Sequence, residues 1–371
     1  MKMLKTVLVV LLLFLIYVPE NVYAEGELDD QTKVIDQILD SSSGGFLSEN
    51  DLSVENAGSF AKITPENIFS WIAEQIKERI KAPFTLMTTL LSIVFLSSIT
   101  ENMCTVGKIN SSSKVGSIIC VIVSISAMLS PVSECFLNAG DTLKEGGLFM
   151  LAYVPVMASV MSASGNLTSA GSYNLIVLGV SELSGQIASG LLVPMLGLCF
   201  SVSIVDAINP ELSLGGLING LRKIVTVALG FIMTVFVGML SIQNIVGGSV
   251  DSLSVKTGKY LVSNLVPVIG GAVSDAYSTV RGSLGVLKSG IGSVGIVTLL
   301  LMVMPAVINL FLYRFAIGAA AITAEILSVN RIKTLLKNIE MIFGIIISIV
   351  SAFIIMLIIS TVIVMKVGNG I

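Results

Sequence analysis

Long apolar runs dominate the chain and alternate with short polar segments. About 20 apolar residues suffice for a helix to cross a bilayer. Runs of at least that length occur at about 84–104, 115–137, 172–206, 224–246, 291–327 and 339–365. They lack the roughly ten-residue alternating segments of outer-membrane barrels. The pattern therefore predicts an all-α, polytopic integral membrane protein whose solvent is the lipid bilayer.

Two of the runs are longer than one span, and each has a proline near its middle. These are 172–206 with Pro194 and 291–327 with Pro305. Because proline removes a helix hydrogen bond and crowds the preceding turn, each run is either two short helices or one long, kinked helix.

The distribution of Lys and Arg predicts the orientation, since cytoplasmic loops are enriched in them. With residues 25–83 outside, Lys108 and Lys114 lie inside. Two later basic segments also mark cytoplasmic loops: Arg222 with Lys223, and Arg331 with Lys333 and Lys337. The segment 138–147, which contains Asp141, Lys144 and Glu145, is predicted to be an outer loop.

The N-terminus has the pattern of a secretory signal peptide. Lys2 and Lys5 precede a short apolar stretch, and Val22 and Ala24 are the small residues of a cleavage site. We expect a signal peptide over residues 1–24; the alternative is an uncleaved first anchor. Residues 25–83 carry twelve Asp or Glu against five Lys or Arg, which predicts an acidic extracytoplasmic region.

This region ends in a predicted amphipathic helix. A hydroxyl residue, a proline and an acid at 64–66 form a typical helix start. Apolar residues then recur at helical spacing: Ile68, Trp71, Ile72, Ile76 and Ile80. The helix either lies on the membrane surface with Trp71 as an interfacial anchor, or packs against a partner or its own chain.

Two short stretches are similar to each other: YVPVMASVMSASG at 153–165 and LVPVIGGAVSDAY at 265–277. Their prolines, Pro155 and Pro267, suit the first turn of a helix. Small residues four apart make a flat strip for close contact: Ala158 with Ser162, and Gly270 with Ser274. We expect two short half-helices that pack on each other or line a central cavity.

The similarity extends along a shift of about 111 residues. The shift pairs Thr168 with Thr279, Gly171 with Gly282, Pro194 with Pro305 and Arg222 with Lys333. We interpret it as an internal duplication within a membrane domain at 84–371, with halves at about 150–246 and 262–365. Duplicated halves with interrupted segments are typical of transporters. The alternative is coincidence, because Gly and Pro are frequent in membrane helices.

Three charged residues inside the predicted spans are candidates for a functional role. Glu182 belongs to the run 172–206, and Arg314 and Glu325 to the run 291–327. Charges at membrane depth mark polar pathways or interhelical pairs. The alternative is a charge near a helix end that extends to the headgroups.

Composition narrows the chemistry. The chain has no histidine, a net charge of −3, 54% hydrophobic residues and four cysteines without a CxxC motif. There is no basic tract for nucleic acid and no P-loop motif. GIGSVG at 290–295 fits GxGxxG but follows no strand, which favours helix packing over dinucleotide binding. We therefore expect no enzymatic activity, cofactor, metal or nucleic-acid partner.

Several segments together resemble the stage III sporulation protein AE family of endospore-forming Firmicutes, over essentially the whole chain. They are WIAEQIKERIKAPF at 71–84, the stretch from 153 with TSAGSYN at 168–174, and 265–295. The resemblance implies a multi-pass protein of the mother-cell membrane around the forespore. It also implies a complex encoded by the stage III sporulation A operon, with a separate ATPase subunit. That complex meets the forespore's stage II sporulation protein Q.

Such a complex is regarded as a secretion or feeding channel that sustains late forespore gene expression. The family supplies no catalytic residues to carry over. Three functions remain open from the sequence. The chain is a non-enzymatic subunit of that apparatus, a stand-alone secondary transporter with a substrate near Glu182 and Arg314, or a membrane scaffold that recruits partners.

Overall fold

A computed structural model describes residues 65–106, 110–209, 214–265 and 270–366. Within these ranges the chain is helical and has no β-strand, so the predicted all-α class is confirmed. The predicted signal peptide at 1–24, the acidic region as far as residue 64 and Pro267 lie outside the described residues.

The described elements follow one another with short connections. They are α1 (Pro65–Arg79), α2 (Lys81–Val106), α3 (Asn110–Ala163), α4 (Leu167–Ile187), a π-helical segment (Ala188–Leu192), α5 (Val193–Ile208), α6 (Gly215–Leu265), α7 (Gly270–Ile326) and α8 (Asn330–Lys366). Among the described residues, six helices are long and apolar enough to cross a membrane, with α4 to α5 counted as one. This agrees with the six predicted runs.

Helix α2 gives the scale of the membrane. Its residues 82–100 carry no charge, and at 1.5 Å per residue they extend about 28 Å. That length matches the roughly 30 Å hydrocarbon core of a bilayer. Helices α3, α6 and α7 contain 54, 51 and 57 residues, more than twice what a crossing needs. These helices therefore extend beyond the bilayer or cross it at a steep tilt.

The stretch 153–165 is not a half-helix that starts at a proline, and this prediction is wrong. Pro155 lies inside α3, together with Pro131, and the stretch forms the last turns of that helix. A helix continues past a proline in lipid because a broken helix would leave backbone N–H and C=O groups without hydrogen-bond partners, and no water is present to replace them. The hydroxyl of Ser159 donates to the carbonyl of Pro155 at 2.9 Å. Helix α3 also includes 138–147, so the predicted outer loop is helical.

The other two prolines have different roles. Pro194 lies in the first turn of α5, directly after the π-helical segment, whereas Pro305 lies inside α7. The internal duplication is not confirmed, because positions that it pairs have different settings. Thr168, for example, lies in the first turn of α4, whereas Thr279 lies inside α7.

Two helix ends close with the same backbone pattern. At the end of α3, Gly165 has φ 79°, and the N–H of Asn166 donates to the carbonyl of Met161 at 3.0 Å. At the end of α7, Ser328 has φ 58°, and the N–H of Val329 donates to Ala324 at 2.9 Å. This is the Schellman arrangement, which satisfies the last carbonyls of a helix and reverses the chain sharply.

The last turns of α3 pack closely on α7 at the GIGSVG segment. A β-carbon built on Gly295 would lie 2.5 Å from the ring of Tyr153, and one built on Gly292 would meet Met365 and Met157. The Tyr153 hydroxyl donates to the carbonyl of Ile291 at 3.4 Å. The stretch 153–165 thus packs against glycines of α7, and the prediction of close helix packing at 290–295 agrees with this contact.

Replacing Gly295 by alanine tests the contact. The added β-carbon would press on the Tyr153 ring, which is 2% exposed and has little room to move. We expect Gly295→Ala to destabilise the protein by about 1–3 kcal/mol, the usual cost of overpacking. Thermal unfolding in detergent, followed by size-exclusion chromatography, measures this.

Gly282→Ala is the matched control on the same helix. No atom lies within 4 Å of a β-carbon built there, and alanine favours helix over glycine by about 1 kcal/mol. Gly282→Ala should therefore be neutral or stabilising. Equal stability of the two variants would contradict the close contact.

Candidate functional site

Helices α7 and α8 form an antiparallel hairpin that carries two ion pairs. Their mutual contact is the most extensive of any described helix pair. Arg314 Nε lies 3.9 Å from Glu340 Oε1, and Lys337 Nζ lies 2.7 Å from Glu325 Oε2. The two charged residues that the sequence analysis selected on α7 thus each have a partner on α8.

The Arg314–Glu340 pair lies deep along the hairpin. Glu340 is ten residues from the start of α8 at Asn330, and Arg314 is twelve residues from the end of α7 at Ile326. These separations correspond to about 15 and 18 Å. If the turn marks a membrane surface, the pair is near the middle of a core about 30 Å thick. Ionisable groups at such depth are functional candidates.

Two glycines make room for this pair. A β-carbon on Gly344 would lie 3.3 Å from the guanidinium carbon of Arg314, and one on Gly318 would lie 3.4 Å from the carboxyl carbon of Glu340. Each charged side chain therefore lies across a glycine of the opposite helix. This arrangement brings the two backbones close where the charges meet.

The pair is reached from the outside of the described bundle. The side chains of Arg314 and Glu340 are 41% and 35% exposed. Large apolar side chains on the neighbouring surface of α7 are exposed as well: Phe311, Phe315 and Ile322. The ion pair thus borders an outward apolar face, where it can contact lipid, water or another protein chain.

Arg331, one of the basic residues that the sequence analysis assigned to the cytoplasmic side, lies at the end of the bundle where α5 ends and α8 begins. Arg331 Nη1 donates to the carbonyl of Ile208 at 3.2 Å, which joins the start of α8 to the end of α5. Arg222 Nη1 lies 3.2 Å from Met341 Sδ, next to Glu340 in the sequence, and is therefore farther from this end than Arg331. Asp206 accepts the N–H of Leu214 at 2.9 Å and holds the turn before α6. Which side of the membrane this end faces stays a prediction.

Glu182 does not join the paired charges. Its carboxylate accepts a hydrogen bond from Gln186 Nε2, one turn away, at 2.7 Å. A β-carbon on Gly185 would contact Phe353, whereas Arg314 faces Gly344. Nine residues of α8 separate these two levels, about 13 Å along the helix. The described helices therefore do not bring Glu182 and Arg314 next to each other.

Trp71 is not presented to the membrane interface. Its side chain is 6% exposed and belongs to the core cluster of the bundle. Gln75, one turn on, is also buried, whereas Ile76 and Ile80 are exposed. Of the two alternatives for this helix, the packed one fits the structure.

The small residues of the two similar stretches are only partly described. Ala158 is buried in the core cluster, and Ser162 is half-buried. The burial of Gly270 and Ser274 lies outside the described part.

A second polar cluster lies far from the ion pairs, at the start of α4. Asp251 of α6 accepts the backbone N–H groups of Thr168 at 3.0 Å and Ser169 at 2.9 Å. Asn166, the residue before α4, makes no side-chain cap and instead accepts a hydrogen bond from Arg281 Nη2 at 3.2 Å. A carboxylate from another helix thus takes the capping position, where negative charge is favourable.

Sequence reasoning missed Glu340 and Asp251. Glu340 stands at the edge of the predicted run 339–365 and was not selected as a candidate. Its one available signal is Gly344 four residues on, since residues at this spacing share a helix face. Asp251 has no local signal, because its partners are 83 and 82 residues away in sequence.

Variants that neutralise the Arg314–Glu340 pair test whether the pair stabilises the folded protein. An unpaired charge in the middle of a spanning helix costs about 2.5–3.5 kcal/mol. Arg314→Gln or Glu340→Gln alone should therefore reduce the amount of folded protein. The double variant removes both charges, and we expect it to restore the amount. Immunoblots of membrane fractions measure this.

Glu325→Gln with Lys337→Gln is the control pair, because both side chains are about half exposed and lie closer to the turn between α7 and α8 than Arg314 and Glu340 do. Its single and double variants should accumulate alike. If Arg314→Gln and Glu340→Gln behave in the same way as this control, the deep pair has no structural coupling.

Comparison with known proteins identifies the family. The family model described as stage III sporulation protein AE matches residues 53–368. A curated relative, stage III sporulation protein AE of Bacillus subtilis (strain 168), is 25% identical over 279 residues, which cover 74% of this chain and 70% of the relative. No solved structure matches. The match includes every described helix, and the chain belongs to the stage III sporulation protein AE family.

Proposed function

We propose that the chain is a non-enzymatic membrane subunit of the sporulation-specific secretion or channel complex that links mother cell and forespore. The observation that carries the proposal is the family match over residues 53–368. Six described helices of membrane-spanning length and composition agree with a multi-pass subunit. The protein is needed, in this proposal, for development of the forespore.

The proposed location is the mother-cell membrane that surrounds the forespore. The proposed partners are the other proteins of the stage III sporulation A operon, including a separate ATPase subunit. Contact with the forespore's stage II sporulation protein Q is indirect and passes through these partners. The sequence has no P-loop motif, so energy from ATP would have to come from another subunit.

The Arg314–Glu340 pair supports the proposal that the chain is part of an assembly. A half-exposed ion pair beside exposed Phe311 and Phe315 is costly if it faces lipid alone. A neighbouring subunit with polar groups at that depth lowers this cost. The pair is therefore the part of the chain that we expect to contact a partner within the membrane.

A stand-alone secondary transporter is the less favoured function. It requires a substrate site enclosed between related halves, typically near the middle of the bilayer. Glu182 and Arg314 face different levels of α8, which argues against a shared site. A membrane scaffold that conducts nothing remains compatible with the packed position of Trp71.

A deletion strain of a sporulating host tests the proposal. We expect late forespore reporters to lose activity while mother-cell reporters and engulfment stay normal, and the wild-type chain to restore the forespore signal. The double variant Arg314→Gln with Glu340→Gln should accumulate but restore less of it. Fluorescence microscopy of single sporangia measures each signal.

Affinity purification from sporulating cells separates the alternatives. A subunit or scaffold should bring down the other operon proteins, including the ATPase, from solubilised membranes. Normal forespore reporters without the chain, or its purification free of these proteins, would contradict the proposal. An ATPase-independent phenotype would favour the secondary transporter.

A further inference from the structure

An open groove with a volume of about 810 Å³ lies where α1 meets α2. One wall consists of the end of α1 and the first turns of α2, with Arg79 and Lys81 at the mouth. The other wall consists of α3 and α7, with Glu134 on α3 and Tyr313 on α7. The groove therefore combines charged groups of both signs with a surface that continues down the spanning helices.

The groove lies at the edge of the hydrocarbon core. Lys81 is the last charged residue before the charge-free residues 82–100 of α2, which are as long as the core is thick. The lining continues below Lys81 with Thr85, Leu86 and Thr89 of α2. Its mouth is thus at headgroup level, and its lower part is at the level of acyl chains.

Several polar groups of the groove have no partner in the described part of the chain. Neither Lys81 nor Glu134 makes an ion pair with another described residue. Arg79 uses only Nε, which donates to Gln75 Oε1 at 3.1 Å, so its two terminal amino groups are available. The side-chain amide of Asn309 and the hydroxyl of Tyr313 have no hydrogen bond in the described part of the chain.

Tyr313 is a packed residue of the groove wall. Its side chain is only 7% exposed, and its ring packs on Phe343 at 6.4 Å between centroids. Its hydroxyl is not among the fully buried polar atoms that lack a partner, so a ligand in the groove can reach it.

We propose that the groove binds the headgroup of an aminophospholipid. The phosphate contacts Arg79 and Lys81, and the ammonium contacts Glu134. The acyl chains descend along α2 past Leu86, and the Tyr313 hydroxyl donates to an ester or phosphate oxygen. Two cations and two carboxylates, Glu78 and Glu134, line the same groove, which suits a headgroup that carries one charge of each sign.

This binding does not depend on the proposed role in secretion. A lipid held between α1 and the bundle fixes the angle at which α1 meets the first spanning helix. The site thereby ties the position of the extramembrane segment before α2 to the membrane surface.

Native mass spectrometry of the purified full-length chain in detergent tests the proposal. The probes are phosphatidylethanolamine, phosphatidylcholine, phosphatidylglycerol and soluble phosphoethanolamine, each added separately. We expect phosphatidylethanolamine to bind most tightly, because it alone among the lipids combines a phosphate with an ammonium that donates hydrogen bonds to Glu134. Equal binding of the three lipids would overturn the proposal, as would equally tight binding of soluble phosphoethanolamine.

Substitutions locate the binding. Lys81→Glu should weaken phosphatidylethanolamine binding about tenfold or more, the usual value of a charge-assisted hydrogen bond, and Lys81→Arg should retain it. Glu134→Gln should abolish the preference for phosphatidylethanolamine over phosphatidylglycerol and leave phosphatidylglycerol bound.

The matched control is Lys144→Glu. Lys144 is an exposed cation on α3 that pairs with Asp141 at 3.5 Å, outside the groove. The Lys144→Glu variant should bind phosphatidylethanolamine as tightly as the wild type does. If Lys81→Glu and Lys144→Glu lose the same amount of binding, the lipid is held by general surface charge and the groove is not the site.

Discussion

The backbone's need for hydrogen bonds where water is absent governs this structure. Every N–H and C=O at membrane depth must find a partner within the protein, so the chain continues as helix for as long as it can. Helices of 37 to 57 residues result. Prolines at 131, 155 and 305 are absorbed into them. The chain reverses where a closed cap serves the last carbonyls, as at Gly165 and Ser328.

The same constraint explains which predictions from sequence succeeded. Apolar runs long enough for a span identified the six membrane-length helices of the described residues, since the length and composition of a segment indicate whether it can cross lipid. Proline is a weaker signal of a helix boundary in lipid than in water. Pro155 was taken for a helix start because a proline fits the first turn. Neither Pro155 nor Pro305 ends its helix, because tertiary contacts outweigh the loss of one backbone bond.

Contacts between side chains of distant helices could not be predicted from the sequence in the same way. Arg314 and Glu325 were identified as candidates from their position in an apolar run, but their partners on α8 follow from the tight turn after α7. Asp251 reaches across more than 80 residues to cap α4, and no local pattern records such a contact. The groove beside α1 is similar, since it combines residues from four helices. Sequence gives the charges; packing decides which of them meet.

Besides this groove, two polar regions of different character lie within the described part of the apolar bundle. One is the α7–α8 hairpin, where glycines at 318 and 344 let opposite charges approach. The other is the junction of α3, α4, α6 and α7 around Asn166 and Asp251. The first borders an exposed face and is available to a neighbouring chain. The second is largely internal and binds four helices to one another.

The Asp251 contact also limits how the bundle can move. Its carboxylate holds two consecutive N–H groups at the start of α4, so sliding α4 along α6 by one turn, about 5.4 Å, would pull it away from both. Tilting the two helices together leaves both bonds intact. The contact therefore couples α4 and α6 at this end of the bundle, so that a displacement of one helix along its axis must carry the other with it.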